Sequence, residues 1–230
     1  MEFRGPLPDL YRANLHLRTA SRILLQLGAF YADTFSDLRR RAKRLPWENH
    51  LQAGRAVSLR VTCHKSRLFH SGAVTERIMD AMADRMGQAP PVQNFESDGD
   101  TRLPQLIIVR LVENRLTIHI DSSGPLLHRR GYRLATGKAP LRETLAAGIL
   151  LASGWDTLSP ILDPFCGSGT IAIEAALLAG RIPPGARRQF AFMDWPNFDS
   201  EVWGKLLAEA RTMQRASSPK IVASDRMPGR

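Results

Sequence analysis

The fold of this chain is decided by Leu162-Asp163-Pro164-Phe165-Cys166-Gly167-Ser168-Gly169-Thr170. A short apolar run ends at Ile161 just before it, and the strong helix-forming segment 171–180 follows it and ends on a glycine. The stretch therefore predicts a strand, a glycine turn and a helix. Because glycine has no Cβ, a ligand can approach the backbone of such a turn, and the N–H groups at the helix start point toward it.

The residues around this turn exclude two common phosphate-binding turns. The dinucleotide fingerprint G-x-G-x-x-G is absent because position 172 is Ala, and no Gly-Lys-Ser/Thr follows as in a P-loop. An acid at the end of the strand would repel a phosphate, but it suits a ligand with hydroxyls, an amine and a carboxylate. The alternative is an ordinary strand–turn–helix with a structural turn. We predict that the ligand contacts Asp163, Pro164, Phe165, Cys166, Gly167, Ser168, Gly169 and Thr170.

A second acid is predicted at the same edge of the sheet. The segment 220–225 has the pattern of a strand that ends in Asp225. Doubly wound folds bind their ligand outside the carboxyl ends of adjacent parallel strands, and an acid on the next strand can accept hydrogen bonds from a ribose diol. Asp225 is therefore our candidate for a ribose contact; the alternative is a turn or helix-capping Asp.

Composition restricts the class of protein. The chain has 230 residues with 43% hydrophobic and 23% charged residues, ordinary values for one or two soluble domains. No apolar run approaches the length of a membrane span, and Arg4, Pro6 and Pro8 interrupt the N-terminus, unlike a secretory signal. Cys63 and Cys166 fit a reducing cytoplasm. With no C-x-x-C spacing they do not predict a metal site.

Positive charge is concentrated in the first third of the chain. The net charge is +10, and residues 1–72 carry 13 Lys/Arg against 5 Asp/Glu, a balance of +8. A localised basic field attracts polyanions, and arginine, which dominates here, favours phosphate and base-edge contacts. Nucleic acid is therefore a candidate partner; the alternative is a solvated basic face.

Hydrophobic periodicity and turn residues predict an α/β organisation. Residues 1–122 are expected to form one α/β module, 123–140 a connector, and 141–230 the region around the glycine turn. The predicted helices cover 9–27, 34–45, 73–86, 141–151, 171–180 and a segment beginning at 199 or 200, and the predicted strands cover 57–62, 106–112, 116–121, the run to 161, and 220–225.

Several strings occur in an order that resembles the THUMP-domain RNA methyltransferases, most closely the bacterial branch that methylates guanine N2 in large-subunit (23S) ribosomal RNA. The C-terminal strings are 130–133, 139–147, 153–155 and 163–170, and the N-terminal strings 11–22 and 63–70 resemble the THUMP module. The resemblance covers essentially the whole chain. It implies a THUMP-type RNA-binding module followed by the first part of a Rossmann-like class I methyltransferase fold.

The resemblance also implies a cofactor and an RNA surface. S-adenosylmethionine would bind the glycine turn and Asp225, and ribosomal RNA would be the partner. Structured RNA is contacted mainly through its shape and backbone, and cations where a strand enters a helix can contact its phosphates. The predicted RNA-binding residues are His64, Lys65, Ser66, Arg67, Arg129, Arg130 and Arg133.

Departures from the family pattern bear on activity. The family carries a further N-terminal ferredoxin-like stretch and a C-terminal Asn-Pro-Pro-Tyr-type motif that holds the target amine, and no Asn-Pro-Pro occurs here. We therefore expect an incomplete chain with no catalytic residue of its own. The family reaction is a direct methyl transfer, so Cys166 need not act as a nucleophile. The alternatives are a non-catalytic RNA-binding protein and a DNA amino-methyltransferase, against which the THUMP-like half argues.

Overall fold

A computed structural model of the chain describes residues 2–94, 103–132, 140–216 and 219–225. Within these residues the chain forms six α-helices and six β-strands. The helices are α1 (Leu7–His16), α2 (Phe35–Ala42), α3 (Ser71–Met86), α4 (Glu143–Ala152), α5 (Thr170–Ala179) and α6 (Ser200–Thr212). The strands are β1 (Leu24–Tyr31), β2 (Val57–His64), β3 (Gln105–Val112), β4 (Arg115–Asp121), β5 (Ile161–Asp163) and β6 (Ile221–Ala223).

The chain divides into two compact units. One, here called the sheet unit, comprises 23–125 and 189–198; the other, the turn unit, comprises 1–22, 126–188 and 199–230. This division by packing differs from the sequence-based modules, because residues 1–22 belong with the turn unit and 189–198 with the sheet unit. The modules, as functional assignments, stay a prediction.

The sheet unit is built on a four-stranded sheet in the order β1-β4-β3-β2. β4 is antiparallel to both of its neighbours, and β2 runs parallel to β3. The β3–β4 hairpin turns through Glu113 and Asn114, whose φ angles of 50° and 61° are those of a tight hairpin turn. The inward-facing residues Val109, Leu111 and Ile118 are fully buried, so the sheet forms the core of this unit.

Two helices complete the sheet unit, and both begin at capping side chains. Thr34 accepts a hydrogen bond from Asp37 N before α2, and His70 Nδ1 accepts one from Ala73 N before α3. Such caps satisfy backbone donors that have no partner within the helix. α2 packs against α3, and α3 packs against β2.

The turn unit contains α1, α4, α5, α6 and a parallel pair of strands, β5 and β6. α1 packs against α6, where the rings of Tyr11 and Trp203 meet edge to face at 6.3 Å. Asp199 caps α6 by accepting from the N–H groups of Glu201 and Val202. α4 and α5 pack against each other, and α5 also packs against both strands.

The helix predicted over 9–27 is wrong in its second half. The helix ends at His16, and Leu24 to Tyr31 form strand β1, which pairs with β4 through a register that includes Phe30 opposite Leu116. A short apolar run has no periodicity that separates helix from strand. Pairing with β4 decides the outcome, since β1 satisfies backbone groups along that edge of the sheet. Within the described residues, none of the helices has the length and apolarity that a membrane crossing requires.

Candidate functional site

The glycine turn leaves β5 and enters α5 as the sequence predicts. Gly169 is the residue that caps α5, with φ +73°, and Gly167 has φ +53°. Both angles lie in the left-handed region, which glycine enters without steric cost. The turn is closed by a hydrogen bond from Gly169 N to Cys166 O at 2.8 Å. Asp163 Oδ1 accepts from Phe165 N at 3.2 Å, which fixes the carboxylate at the end of the strand.

β6 brings the second acid to the same edge. Ile161, Leu162 and Asp163 pair with residues 221–223 in parallel. The turn continues this pairing, because Cys166 N donates to Ser224 O at 3.0 Å and Ser224 N donates to Asp163 O at 2.9 Å. A Cβ built on Gly167 would lie 3.9 Å from Asp225 Oδ2. The structure thus places Asp225 beside the glycine turn.

The turn offers both donors and acceptors to a ligand. Among the described residues, a Cβ on Gly169 would meet nothing within 4 Å, and Phe165 is 82% exposed. Gly169, the N-cap of α5, makes no side-chain capping hydrogen bond, and the start of a helix carries backbone N–H donors and the positive end of the helix dipole. Asp163 and Asp225 add two carboxylates at the same turn. This donor set fits a molecule that carries a carboxylate, an amine and hydroxyls.

The remaining turn residues differ in exposure. Ser168 Oγ and Thr170 Oγ1 lie 3.3 Å apart, and Thr170 is buried. Pro164 is exposed, and Cys166 is half-buried with its Sγ 3.7 Å from Gly167 O. The exposed residues are therefore accessible to a ligand, whereas Thr170 is buried and its hydroxyl lies within hydrogen-bond distance of Ser168 Oγ.

A buried charged cluster, which no local sequence pattern predicts, holds α5 in place. Glu174, on the second turn of α5, is fully buried and accepts hydrogen bonds from Arg130 Nη1 and, at 2.8 Å, from Tyr132 Oη. Arg130 Nη2 also donates to Arg18 O at 2.5 Å. Arg18 Nη2 in turn donates to Ile182 O at 2.7 Å, just beyond the end of α5. The signal available in the sequence was a lone acid within an apolar helix.

Burial dominates the electrostatics of this cluster. It raises the pKa of the Glu174 carboxyl, although Arg130, Tyr132 and Arg18 each act to lower it. Burial has the largest effect on the Tyr132 phenol and raises its pKa, and the negative charge of Glu174 raises it further. Burial lowers the pKa of Arg18, against the opposing effect of Glu174. The cluster is thus a desolvated set of groups held by mutual pairing.

The three arginines of segment 129–133 that were predicted to bind RNA differ in their surroundings. Arg130 is 3% exposed and contacts Glu174, so its guanidinium is committed inside the turn unit. Arg129, its neighbour, is exposed. Arg133 lies outside the described residues. Of the three, Arg129 is the one that the structure shows at a surface.

The basic loop after β2 lies in the sheet unit and is fastened to the β3–β4 turn. Ser66 Oγ donates to His64 O at 2.9 Å and accepts from Asn114 N at 3.0 Å, while Arg67 N donates to Asn114 Oδ1 at 2.8 Å. Lys65 takes φ +45°. His64, Lys65 and Arg67 are exposed, and Arg67 Nη1 lies 3.8 Å from an Asp33 carboxylate oxygen. The hydrogen bonds therefore fix the backbone of a loop whose cations face solvent.

Comparison with known proteins agrees with this geometry. Residues 130–228 match the family UPF0020, described as an RMKL-like methyltransferase domain. The match spans the glycine turn, both acids and α5. Residues 1–24 match the RlmL ferredoxin-like domain. The N-terminal match is thus to a ferredoxin-like domain, and the THUMP module stays a prediction.

Several curated relatives are named as methyltransferases of large-subunit ribosomal RNA. The ribosomal RNA large subunit methyltransferase K/L of Methylococcus capsulatus is 37% identical over 230 residues, covering 96% of this chain. The corresponding protein of Psychromonas ingrahamii is 39% identical over 220 residues, covering 94%. The chain spans 30% and 28% of the length of these two relatives. These matches confirm the similarity to the large-subunit ribosomal RNA methyltransferases.

Solved structures confirm the predicted fold class, an α/β chain with a Rossmann-like class I methyltransferase part. A structure described as a predicted N6-adenine-specific DNA methylase from Listeria monocytogenes superimposes with TM-score 0.82 and 35% identity, over 96% of this chain and 58% of that one. The SMU.472 protein, solved in complex with SAH, superimposes with TM-score 0.77 and 31% identity, over 93% of this chain and 56% of that one.

Proposed function

We propose that this chain is part of an S-adenosylmethionine-dependent RNA methyltransferase that methylates guanine N2 in large-subunit ribosomal RNA in the cytoplasm. The observation that supports this most strongly is the glycine turn beside Asp225, in a region that matches the RMKL-like methyltransferase domain. The names of the K/L relatives support the RNA substrate.

The turn is the proposed cofactor site. The N–H groups at the start of α5 would bind the carboxylate of the methionine end, and Asp163 its amine. Asp225 would accept hydrogen bonds from the ribose hydroxyls. Phe165 and Pro164 would cover the ligand from the exposed side. The complex of SMU.472 with SAH, at 31% identity, supports this choice of cofactor.

Little covalent chemistry is required of the protein. The bound cofactor supplies an electrophilic methyl group, and the residues of the turn orient it and fix its charges. Cys166 lies in the turn itself, with its Sγ directed to Gly167 O, so it is proposed as a packing residue and not as a nucleophile. No catalytic residue is assigned within this chain.

Two basic segments, one in each unit, are proposed to contact RNA. The first is the loop His64–Arg67, which corresponds to the THUMP module of the resemblance. Its fixed backbone holds Lys65 and Arg67 toward solvent, as phosphate contacts require. The second is Arg129, with Arg133 on the same segment. We assign Arg130 a structural role because Glu174 pairs with it.

A non-catalytic RNA-binding protein is the second candidate. It requires only the exposed basic residues of the loop His64–Arg67. In that case the chain would bind RNA with the same basic residues and would transfer no methyl group. Methyl transfer to ribosomal RNA by this chain would exclude this candidate.

The test is calorimetric titration of S-adenosylmethionine into the chain and two variants. We expect weak binding that Asp163→Ala abolishes and that Cys166→Ser changes by less than about twofold, since the Cys166 thiol makes no contact that the proposal requires. Binding that survives Asp163→Ala would remove the turn from the cofactor site and overturn the proposal.

A further inference from the structure

The two faces of the four-stranded sheet differ in their side chains. Side chains alternate along a strand, so residues two apart share a face. Val109 and Ile118 pair across β3 and β4 and are fully buried. Their neighbours Arg110 and Thr117 also pair with each other, and Arg110 is exposed. The sheet therefore has one apolar, buried face and a second face that carries polar side chains.

The second face is covered at one end and open at the other. Leu106 and Asp121 lie on it and are buried, and they line a cavity together with Phe190 and Ala191. Segment 189–198 of the same unit therefore covers this end. The rows beyond it define what we call the open face, and all of its residues except the half-buried Thr117 are exposed. The open face has eight side chains: Ala29, Tyr31, Thr62, His64, Arg110, Val112, Arg115 and Thr117.

The open face combines positive charge with an aromatic ring and includes no carboxylate. Tyr31 is 63% exposed and lies opposite Arg115 in the β1–β4 pair, where cross-strand side chains are about 5 Å apart. Arg110 adds a second guanidinium, and the nearest acids in the sequence, Asp33 and Glu113, lie beyond the ends of β1 and β3. Because arginine is rarely buried without a partner, this face suits water or a polyanion and does not require a covering layer of protein.

The basic loop after β2 extends this surface. β2 ends at His64, and the loop 65–67 is bonded to the β3–β4 turn through Asn114. Tyr31 and Arg115 lie at the same end of the sheet, because β1 ends where β4 begins. The exposed cations of the loop therefore border the open face, and the two form one continuous basic surface within the sheet unit.

We propose that the open face binds an unpaired strand of RNA, with a base stacked on Tyr31 and phosphates at Arg110 and Arg115. An aromatic ring and a planar guanidinium are surfaces on which unpaired bases stack, and the guanidinium also binds phosphate. Neighbouring strands are about 4.8 Å apart, so the four strands span roughly 14 Å, enough for a short run of nucleotides. Duplex RNA keeps its bases stacked and offers no base to Tyr31.

The proposal rests on the proposed RNA substrate and names a surface that would contact it. Of the eight residues of the open face, His64 alone was predicted from the sequence to contact RNA. The others carry no local signal, because only the pairing of four strands brings them onto one face. The glycine turn takes no part in this binding.

The test is the binding of a fluorescently labelled oligouridylate to the full chain, followed by anisotropy at several salt concentrations. Tyr31→Ala should raise the dissociation constant about fivefold or more, because the stacking of a base is lost. Tyr31→Phe keeps the ring and should bind within about twofold of the parent chain. Arg110→Gln and Arg115→Gln should each reduce the slope of log K against log salt by about 0.7, the value for one phosphate contact on a single strand.

Arg77→Gln is the matched control for charge. Arg77 lies on α3 and pairs with Asp80 at 2.7 Å, so this variant loses the same formal charge as Arg115→Gln outside the open face. It should leave the dissociation constant within about twofold of the parent value. Because Tyr31, Arg110 and Arg115 are exposed, circular dichroism should show that their variants are folded.

Four results would overturn the proposal. They are an absence of oligouridylate binding, binding that Tyr31→Ala leaves unchanged, an equal loss in Arg77→Gln and Arg115→Gln, and tighter binding of a duplex of the same length. Ribosomal RNA binding that persists without oligouridylate binding would refute this proposal alone. Oligouridylate binding that depends on Tyr31, in a chain that binds no S-adenosylmethionine, would support this proposal and count against the proposed cofactor site.

Discussion

Replacing Arg130 by Met should destabilise the turn unit strongly, because it leaves a carboxylate buried without its main partner. The side chains of Arg130 and Glu174 are 1% and 0% exposed. Without Arg130, Glu174 keeps one hydrogen bond from Tyr132 at 2.8 Å and an ion pair with Arg18 Nη1 at 3.9 Å. Neither contact replaces a direct guanidinium at hydrogen-bond distance.

The expected magnitude follows from the burial of both groups. Removing one partner of a fully buried ion pair costs about 3–5 kcal/mol, because the other charge is left desolvated. Removing both charges is far less costly, so Arg130→Met combined with Glu174→Leu should be less destabilising than Arg130→Met alone. Tyr132→Phe, which deletes one hydrogen bond to a charged group, should cost about 1.5–3 kcal/mol.

Urea unfolding followed by circular dichroism measures these differences. Arg129→Met is the matched control: this residue is adjacent but exposed, and a surface substitution usually changes the free energy of unfolding by less than about 0.5 kcal/mol. Filter binding with ribosomal RNA should show the opposite ranking of the two variants. Arg129→Met should weaken RNA binding, whereas a folded Arg130→Met variant should not. An Arg130→Met variant within about 1 kcal/mol of the parent chain would refute the structural role assigned to Arg130.

Three further predictions concern the basic loop, the glycine turn and the sheet unit. Lys65→Glu with Arg67→Glu should weaken RNA binding and flatten its dependence on salt, as measured by titration at several salt concentrations; a flat dependence in the parent chain would contradict this. Gly169→Ala should cost about 1–2 kcal/mol in urea unfolding because φ is +73°, whereas Gly204→Ala, inside helix α6, should stabilise slightly; equal effects would refute the strain argument. Burial lowers the pKa of His50 to about 4, below its unfolded value of about 6.5. The stability that neutral His50 contributes above pH 6.5 should therefore be lost as the pH falls toward 4. His50→Phe should flatten the pH dependence of the free energy of unfolding, and an unchanged slope would contradict this prediction.

Local signals predicted the parts of the site that short segments determine. The glycines of the turn, the acid before it and the helix after it are all specified within 163–180, and each element formed as expected. The position of Asp225 beside Gly167 depended on a single topological rule, that adjacent parallel strands end at the same edge. That adjacency is present in the structure, and the ribose role of Asp225 stays a prediction.

Non-local pairing explains what the sequence did not predict. Arg130 was predicted to be a surface cation because Glu174, its buried partner, lies 44 residues further along the chain. Residues 24–27 were predicted to end a helix because Leu24 and Leu27 continue the helical spacing of the preceding apolar residues, and only β4, some 90 residues later, provides the edge that makes 24–31 a strand. In both cases the deciding partner is distant in sequence and carries no local signature.

Amide NMR of the ¹⁵N-labelled chain during titration with SAH shows whether the glycine turn holds the cofactor. We expect saturable shifts at the amides of Gly167, Gly169 and Thr170, whereas Gly54 and Gly87 in the sheet unit, also at positive φ, stay unchanged. Saturable shifts confined to other residues, or no shift at the turn at any SAH concentration, would contradict it.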